Sequence, residues 1–234
     1  MMDGRTLGIL GGTFDPIHFG HLDAADAART TLGLSDVLFV PSHDPPHRPI
    51  DPHATGFHRF ALLALALTDS AGYSVSDMEL RRQGASFTID TLRTFHGEGW
   101  RPTQLFFILG ADAFAEIATW REYPGVLDAA NFVVIARPSM TPEAALARNP
   151  GLRVRLPSTA LRPGKADTTY DAQTHIIIIN APTRDVSSTL IRERLAACQS
   201  IDDLVPHAVA QHIHRHHLYG AVGRLHGKDE SANH

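Results

Sequence analysis

The chain has 234 residues, 43% apolar and 20% charged, with 21 Lys and Arg against 25 Asp and Glu and a formal charge of −4. At roughly 150 residues per domain this is one large or two small domains, long enough to bury a core without staples. A single cysteine excludes an intrachain disulfide framework and a cysteine zinc site, the negative charge argues against general nucleic-acid binding, and no apolar run nears the ~18 residues of a membrane span.

In chain order, Leu7–Leu10 is an apolar strand stopped by Gly11-Gly12. His21–Leu32 carries Leu22, Ala25, Ala28 and Leu32 at helical spacing, and Gly33 stops it. Val37–Val40 is a second strand, broken by Pro41, and a loop rich in Pro and His follows over 42–53. Phe57–Leu67 is helical, Tyr73–Met78 alternates like a strand, and Phe87–Phe95 is helical again. Leu105–Leu109, "LFFIL", and Phe132–Ala136 are unbroken apolar strands. Residues 138–172 show weak periodicity and read as an insertion or flexible excursion. His175–Ile179 is a last strand, Thr189–Cys198 and Pro206–Leu218 are helices, and 221–234 is a disordered tail.

Short unbroken apolar strands alternating with helices predict an α/β fold: a doubly wound, Rossmann-like parallel sheet with helices on both faces, in a single domain over 1–220. Ligands of such sheets bind beyond the carboxyl ends of the strands. Three stretches follow strands directly: "GGTFDPIHFGH" (11–21), "PSHDPPHR" (41–48) and "GAD" (110–112). The first has no Gly-Lys-Ser/Thr, so it is not a P-loop, and Gly8, Gly11 and Gly12 lack the G-x-G-x-x-G spacing. His18 precedes the helix and His21 lies in its first turn, so both can point at one anion. Neutral imidazole donates a hydrogen bond, and a nearby phosphate favours the protonated ring. Spacing alone leaves three readings open: a phosphate site, a structural turn, and a metal site short of a third ligand.

The turn resembles the Gly-Gly-x-Phe-Asp-Pro-x-His-x-Gly-His signature of the nucleotidylyltransferase superfamily, in its nicotinate-nucleotide adenylyltransferase branch. "SSTLIR" (187–192) resembles the superfamily's second marker, Ser-Ser-Thr-x-Ile-Arg. "VPSHDPPHR", "DMELRRQGASFTIDTL", "FILGADAFAEIATWREY" and the closing "VPHAVAQHIHRHHLYG" are similar to further stretches of that branch, so the likeness runs over about residues 5–220. It does not cover 138–172. Arg48 stands where lysine is usual, a planar fork in place of a point charge, and Val186 replaces a common isoleucine.

The resemblance implies transfer of the AMP part of ATP to the 5′-phosphate of nicotinate mononucleotide, in NAD biosynthesis, with pyrophosphate leaving. The attacking group is already an anion, so no strong base is needed; positioning and charge neutralisation supply the catalysis. Mg²⁺ is implied with ATP, held through phosphates and water rather than by a protein cage. His18, His21 and Arg192 are the implied catalytic residues. Gly11, Gly12, Thr13, Phe14, Gly20, His47, Arg48, Gly110, Asp112, Arg137, Ser187, Ser188 and Thr189 would hold ATP and its phosphates, and Thr88 and Trp120 the mononucleotide. Ser187–Thr189 also suit a plain helix cap. His212 and His216, four apart, suit a metal, though the closing helix accounts for them without one. The alternatives are preference for the amide mononucleotide, a pantetheine-phosphate type enzyme, and a non-enzymatic nucleotide binder. A cytoplasmic protein free of nucleic acid and membrane is expected, as monomer or homo-oligomer.

Overall fold

The computed structural model describes residues 4–45, 52–138, 140–157 and 173–221. Six strands form one all-parallel sheet: β1 (Leu7–Gly12), β2 (Asp36–Pro41), β3 (Tyr73–Val75), β4 (Leu105–Gly110), β5 (Asn131–Ile135) and β6 (Ile176–Ile179), in the order β3-β2-β1-β4-β5-β6. Seven α-helices are described: α1 (Phe19–Leu32), α2 (Gly56–Ala66), α3 (Thr88–Gly97), α4 (Ala111–Ala115), α5 (Pro142–Ala147), α6 (Ser188–Ala196) and α7 (His207–Arg215). The order reverses direction at β1, which lies between β2 and β4, and a crevice at the strand carboxyl ends opens at such a point.

The side-chain period of two explains the two faces. Leu7 and Ile9 of β1, Phe107 and Leu109 of β4, and Phe132 and Val134 of β5 enter one core, which α3, α4 and α5 cover. Leu10, Phe106, Ile108, Val133 and Ile135 enter the other, with side chains of α1, α2, α6 and α7. Ile9, Ile108, Phe132 and Val133 are fully buried. Each such side chain contributes about 1.5–3 kcal/mol. Ala24, Ala25 and Ala28 let α1 lie close on the sheet, and Gly33 ends it in a left-handed conformation, φ 63°.

Three expectations change. The third strand stops at Val75: beyond it the Met78 N–H bonds back to Ser76 Oγ and the Arg81 N–H to Asp77 O, and the chain turns. The described part of 138–172 is not loose: Thr141 caps α5, and Ala145, Leu146 and Leu152 are buried in the core. A five-residue helix, α4, stands where the sequence shows no period. Among the described residues no helix is long and apolar enough to cross a membrane.

Candidate active site

β1 ends at Gly12, and residues 13–18 turn the chain into α1. Phe14 takes a left-handed backbone conformation, φ 50°, and buries its ring. That ring meets His21 edge-on at 5.0 Å, and His21 stacks on His18 with centroids 3.7 Å apart. The two histidines meet because residues three apart at a helix start share a face. His18 is the N-cap of α1 yet makes no side-chain capping bond. Its imidazole is 3% exposed, and its buried Nδ1 has no hydrogen-bond partner. Burial first, then the positive charge of Arg137, push its pKa down to about 3, with Asp23 opposing. At neutral pH the ring is uncharged, with one N–H to donate.

Gly20 packs against this pair. A Cβ there would lie 3.1 Å from the Arg184 carbonyl and 3.2 Å from the His18 ring, so the missing side chain makes room for the histidine. A Cβ at Gly11 or Gly12 would press on the Phe107 or Phe14 ring at 3.2 Å. At the end of neighbouring β4, a Cβ on Gly110 would overlap Asp112 Oδ1 and lie 2.8 Å from Arg137 Nε. Gly110, Asp112 and Arg137 therefore share one spot, from which the Arg137 charge acts on His18, and Arg137 Nε is buried without a hydrogen-bond partner.

The distant "SSTLIR" stretch joins the opening turn directly. Arg192 Nη1 donates to the Asp15 carbonyl at 2.6 Å, and Ser188 Oγ donates to the Pro16 carbonyl at 2.9 Å. Arg192 Nη2 also donates to Thr189 Oγ1 at 3.1 Å. Ser187 is the N-cap of α6, accepting from the Leu190 N–H at 3.1 Å. Side chains expected on phosphate are thus engaged within the protein, where they brace the turn. The Phe19 N–H donates to Leu204 O, a further tie. Sequence reasoning did not single out Asp15, whose buried carboxylate accepts from the His53 and Ala54 N–H groups at 2.8 and 3.0 Å. Nor did it find Asp23, whose carboxylate the Arg184 guanidinium holds below the usual range.

Away from this corner, a small open cleft is lined by Ser86, Phe87, Thr88, Ile89, Trp120, Arg121 and Val126. It brings Thr88 and Trp120 together. Thr88 opens α3, whose N-cap Phe87 makes no side-chain capping bond. Trp120 packs edge-on against Phe107 at 5.9 Å, and Arg121 lies over the Phe87 ring at 4.7 Å. Behind this wall the buried Glu79 accepts from Thr91 Oγ1. Burial pushes the Glu79 carboxyl up, against hydrogen bonds from Thr91 and Ser86.

The cytidylyltransferase-like family model matches residues 9–194, the span that carries both motifs. A probable nicotinate-nucleotide adenylyltransferase of Thermoanaerobacter sp. (strain X514) is 37% identical over 213 residues, 91% of this chain and 93% of its own. This chain belongs to the nicotinate-nucleotide adenylyltransferase family. A further member of the family, from Roseiflexus sp. (strain RS-1), is 37% identical over 93% of this chain and all of its own. The family fold is seen in the nicotinic acid mononucleotide adenylyltransferase of Plasmodium falciparum complexed with NaAD, with a TM-score of 0.69 at 19% identity over 92% of this chain and 98% of that one.

His47 and Arg48 lie outside the described residues. Among the described residues no group of three or more His, Cys, Asp or Glu side chains is arranged to hold a metal ion. His212 instead lies 3.1 Å from His58 Nδ1 through its Nε2 and beside the His216 ring.

Proposed function

We propose that this chain transfers the adenylyl group of ATP to nicotinate mononucleotide, forming nicotinate adenine dinucleotide and pyrophosphate in NAD biosynthesis. The observation that carries this reading is the direct bracing of the stacked His18–His21 turn by Ser188 and Arg192, at the reversal point of a parallel sheet. Two motifs of one nucleotidylyltransferase signature there build one anion-facing corner.

In this reading His18 and His21 donate to the α- and β-phosphates, and the start of α1, which has no side-chain cap, adds its positive end. Arg137 supplies the fixed charge beside them. The 5′-phosphate of the mononucleotide attacks the α-phosphorus; its P–O bond forms as the bond to the pyrophosphate oxygen breaks, and the electron pair leaves with pyrophosphate. A buried neutral imidazole costs little to organise and donates where charge grows. Glycines 11 and 12 and the backbone of Thr13 and Phe14 lie along the nucleotide. Ser187, Ser188, Thr189 and Arg192 act by shaping the corner, with the first N–H groups of α6 facing phosphate. A divalent cation held by the triphosphate, Mg²⁺ in this reading, supplies further neutralisation of the leaving group. Asp112, in the first turn of α4, suits ordering of its waters.

The nicotinate ring lies on Trp120, and its carboxylate meets the uncapped N-terminus of α3 at Thr88. A carboxamide carries no charge to reward that helix end, so the acid is preferred. With nucleotide substrates the reading places the enzyme in the cytoplasm.

The test is pyrophosphate release from ATP with nicotinate mononucleotide, nicotinamide mononucleotide or phosphopantetheine as acceptor. The expected order has the acid well ahead. Silence with all three would sink the transferase reading, and faster turnover of the amide would overturn the acid preference.

A further inference from the structure

Arg59 is a fully buried arginine, 2% exposed, on an otherwise apolar face of α2 with Leu62 and Leu63. Among the described residues no carboxylate lies within ion-pair distance of it. Its guanidinium donates instead to two peptide carbonyls: Nη1 to Thr13 O at 2.7 Å, and Nε to Ala54 O at 3.3 Å. Burial holds its pKa below the ordinary arginine value, with Asp15 and Tyr219 opposing, and it remains a cation at neutral pH. Taking such a cation out of water is expensive, and a methionine would fill much of the same space without that cost. What Arg59 supplies beyond volume is the grip on Thr13.

The grip has a counterpart. Arg59 ties residues 13 and 54 through their carbonyls, and the Asp15 carboxylate ties the same two segments through the N–H groups of His53 and Ala54. Tyr219, past α7, turns a buried hydroxyl toward Asp15, and burial with that charge raises its pKa well above the ordinary phenol. Three carbonyls of the opening turn are therefore each held by a side chain: Thr13 by Arg59, Asp15 by Arg192 and Pro16 by Ser188. The last two lie within the recognised motif. Arg59 comes from an unrelated helix and reaches the turn at its root, five residues before His18.

We propose that Arg59 is a positioning residue of the transfer reaction, one that meets no substrate and sets the place of the turn presenting His18 and His21. The proposal rests on the reading that these histidines hold the phosphates. A displacement of about 1 Å at a reacting centre lowers rates on the order of 100-fold. Release of the Thr13 carbonyl therefore acts on turnover more than on binding.

The experiment compares R59Q, R59K, H18Q and the R59Q/H18Q double variant in the full chain, by steady-state pyrophosphate release and thermal melting. R59Q is expected to melt cooperatively, with kcat down about 30- to 100-fold and both KM values within about threefold of wild type. R59K keeps the charge but reaches one carbonyl, and falls between. The double variant loses clearly less than the product of the two single losses, because both changes act through the same turn. Wild-type kcat in R59Q, or losses that multiply in the double variant, would overturn the proposal. So would failure of both R59Q and R59K to fold, which leaves Arg59 a stabilising role only. Full activity of H18Q strikes the phosphate reading itself, and the proposal with it, whatever R59Q does.

Discussion

Acid should unfold this protein through His18. The ring's pKa is about 3 in the folded chain and about 6.5 when the chain is unfolded and solvated. A depressed histidine binds its proton more readily unfolded, so stability falls as pH drops through the window from 6.5 toward 3 and is unaffected by this group well above 6.5. Each pH unit inside that window is worth about 1.4 kcal/mol, so moving from pH 7 to pH 5 removes about 2 kcal/mol on account of His18 alone. Chemical denaturation at the two pH values measures the loss, for wild type and for His18→Gln. The variant sheds the His18 share and should lose about 2 kcal/mol less between pH 7 and pH 5. His212, whose pKa burial also lowers, is present in both proteins, and its share cancels in the difference. Identical pH dependence in the two would show that His18 is not buried as a neutral ring.

Three further outcomes follow from the same geometry. Gly20→Ala places a methyl 3.2 Å from the His18 ring and 3.1 Å from the Arg184 carbonyl, and should lower kcat at least about tenfold while costing about 1–3 kcal/mol of stability by overpacking. Trp120→Ala should raise the KM for nicotinate mononucleotide about tenfold with the KM for ATP within about twofold; a change confined to ATP would place the ring elsewhere. Asp15→Asn weakens two charge-assisted bonds to the His53 and Ala54 N–H groups and should cost about 2 kcal/mol in a denaturation curve, with unchanged stability refuting the brace.

The sheet was readable because its strands are unbroken apolar runs closed by glycine or proline, as at Leu105–Gly110, and because a parallel sheet buries both faces of each strand. The helix α4 was not, since five residues make too few turns for a 3.6-residue period to show. The helix α5 did carry a start signal, Thr141 before Pro142, that weak periodicity downstream masked. At the site, the motifs named the turn and both histidines, and the three-residue spacing foretold their shared face. The pairing partners lay beyond any local pattern: nothing near Asp15 announces Ala54, and nothing near Arg192 announces a carbonyl 177 residues earlier. Arg59 had one available signal, a lone cation in the apolar run "FALLALAL" and its preceding turn, and sequence reasoning passed over it.

The ties from Ser188, Arg192 and Leu204 back to residues 15–19 carry a consequence for synthesis. A ribosome makes the opening turn well before its supports, which follow every described strand of the sheet. Throughout elongation the nascent chain holds its two histidines on a turn that nothing from the distal end yet steadies. A product cut short after β6 keeps every described strand of the sheet and loses the groups that hold residues 15–19. The braced form of the turn therefore exists only once the chain has been made through α6 and on to Leu204.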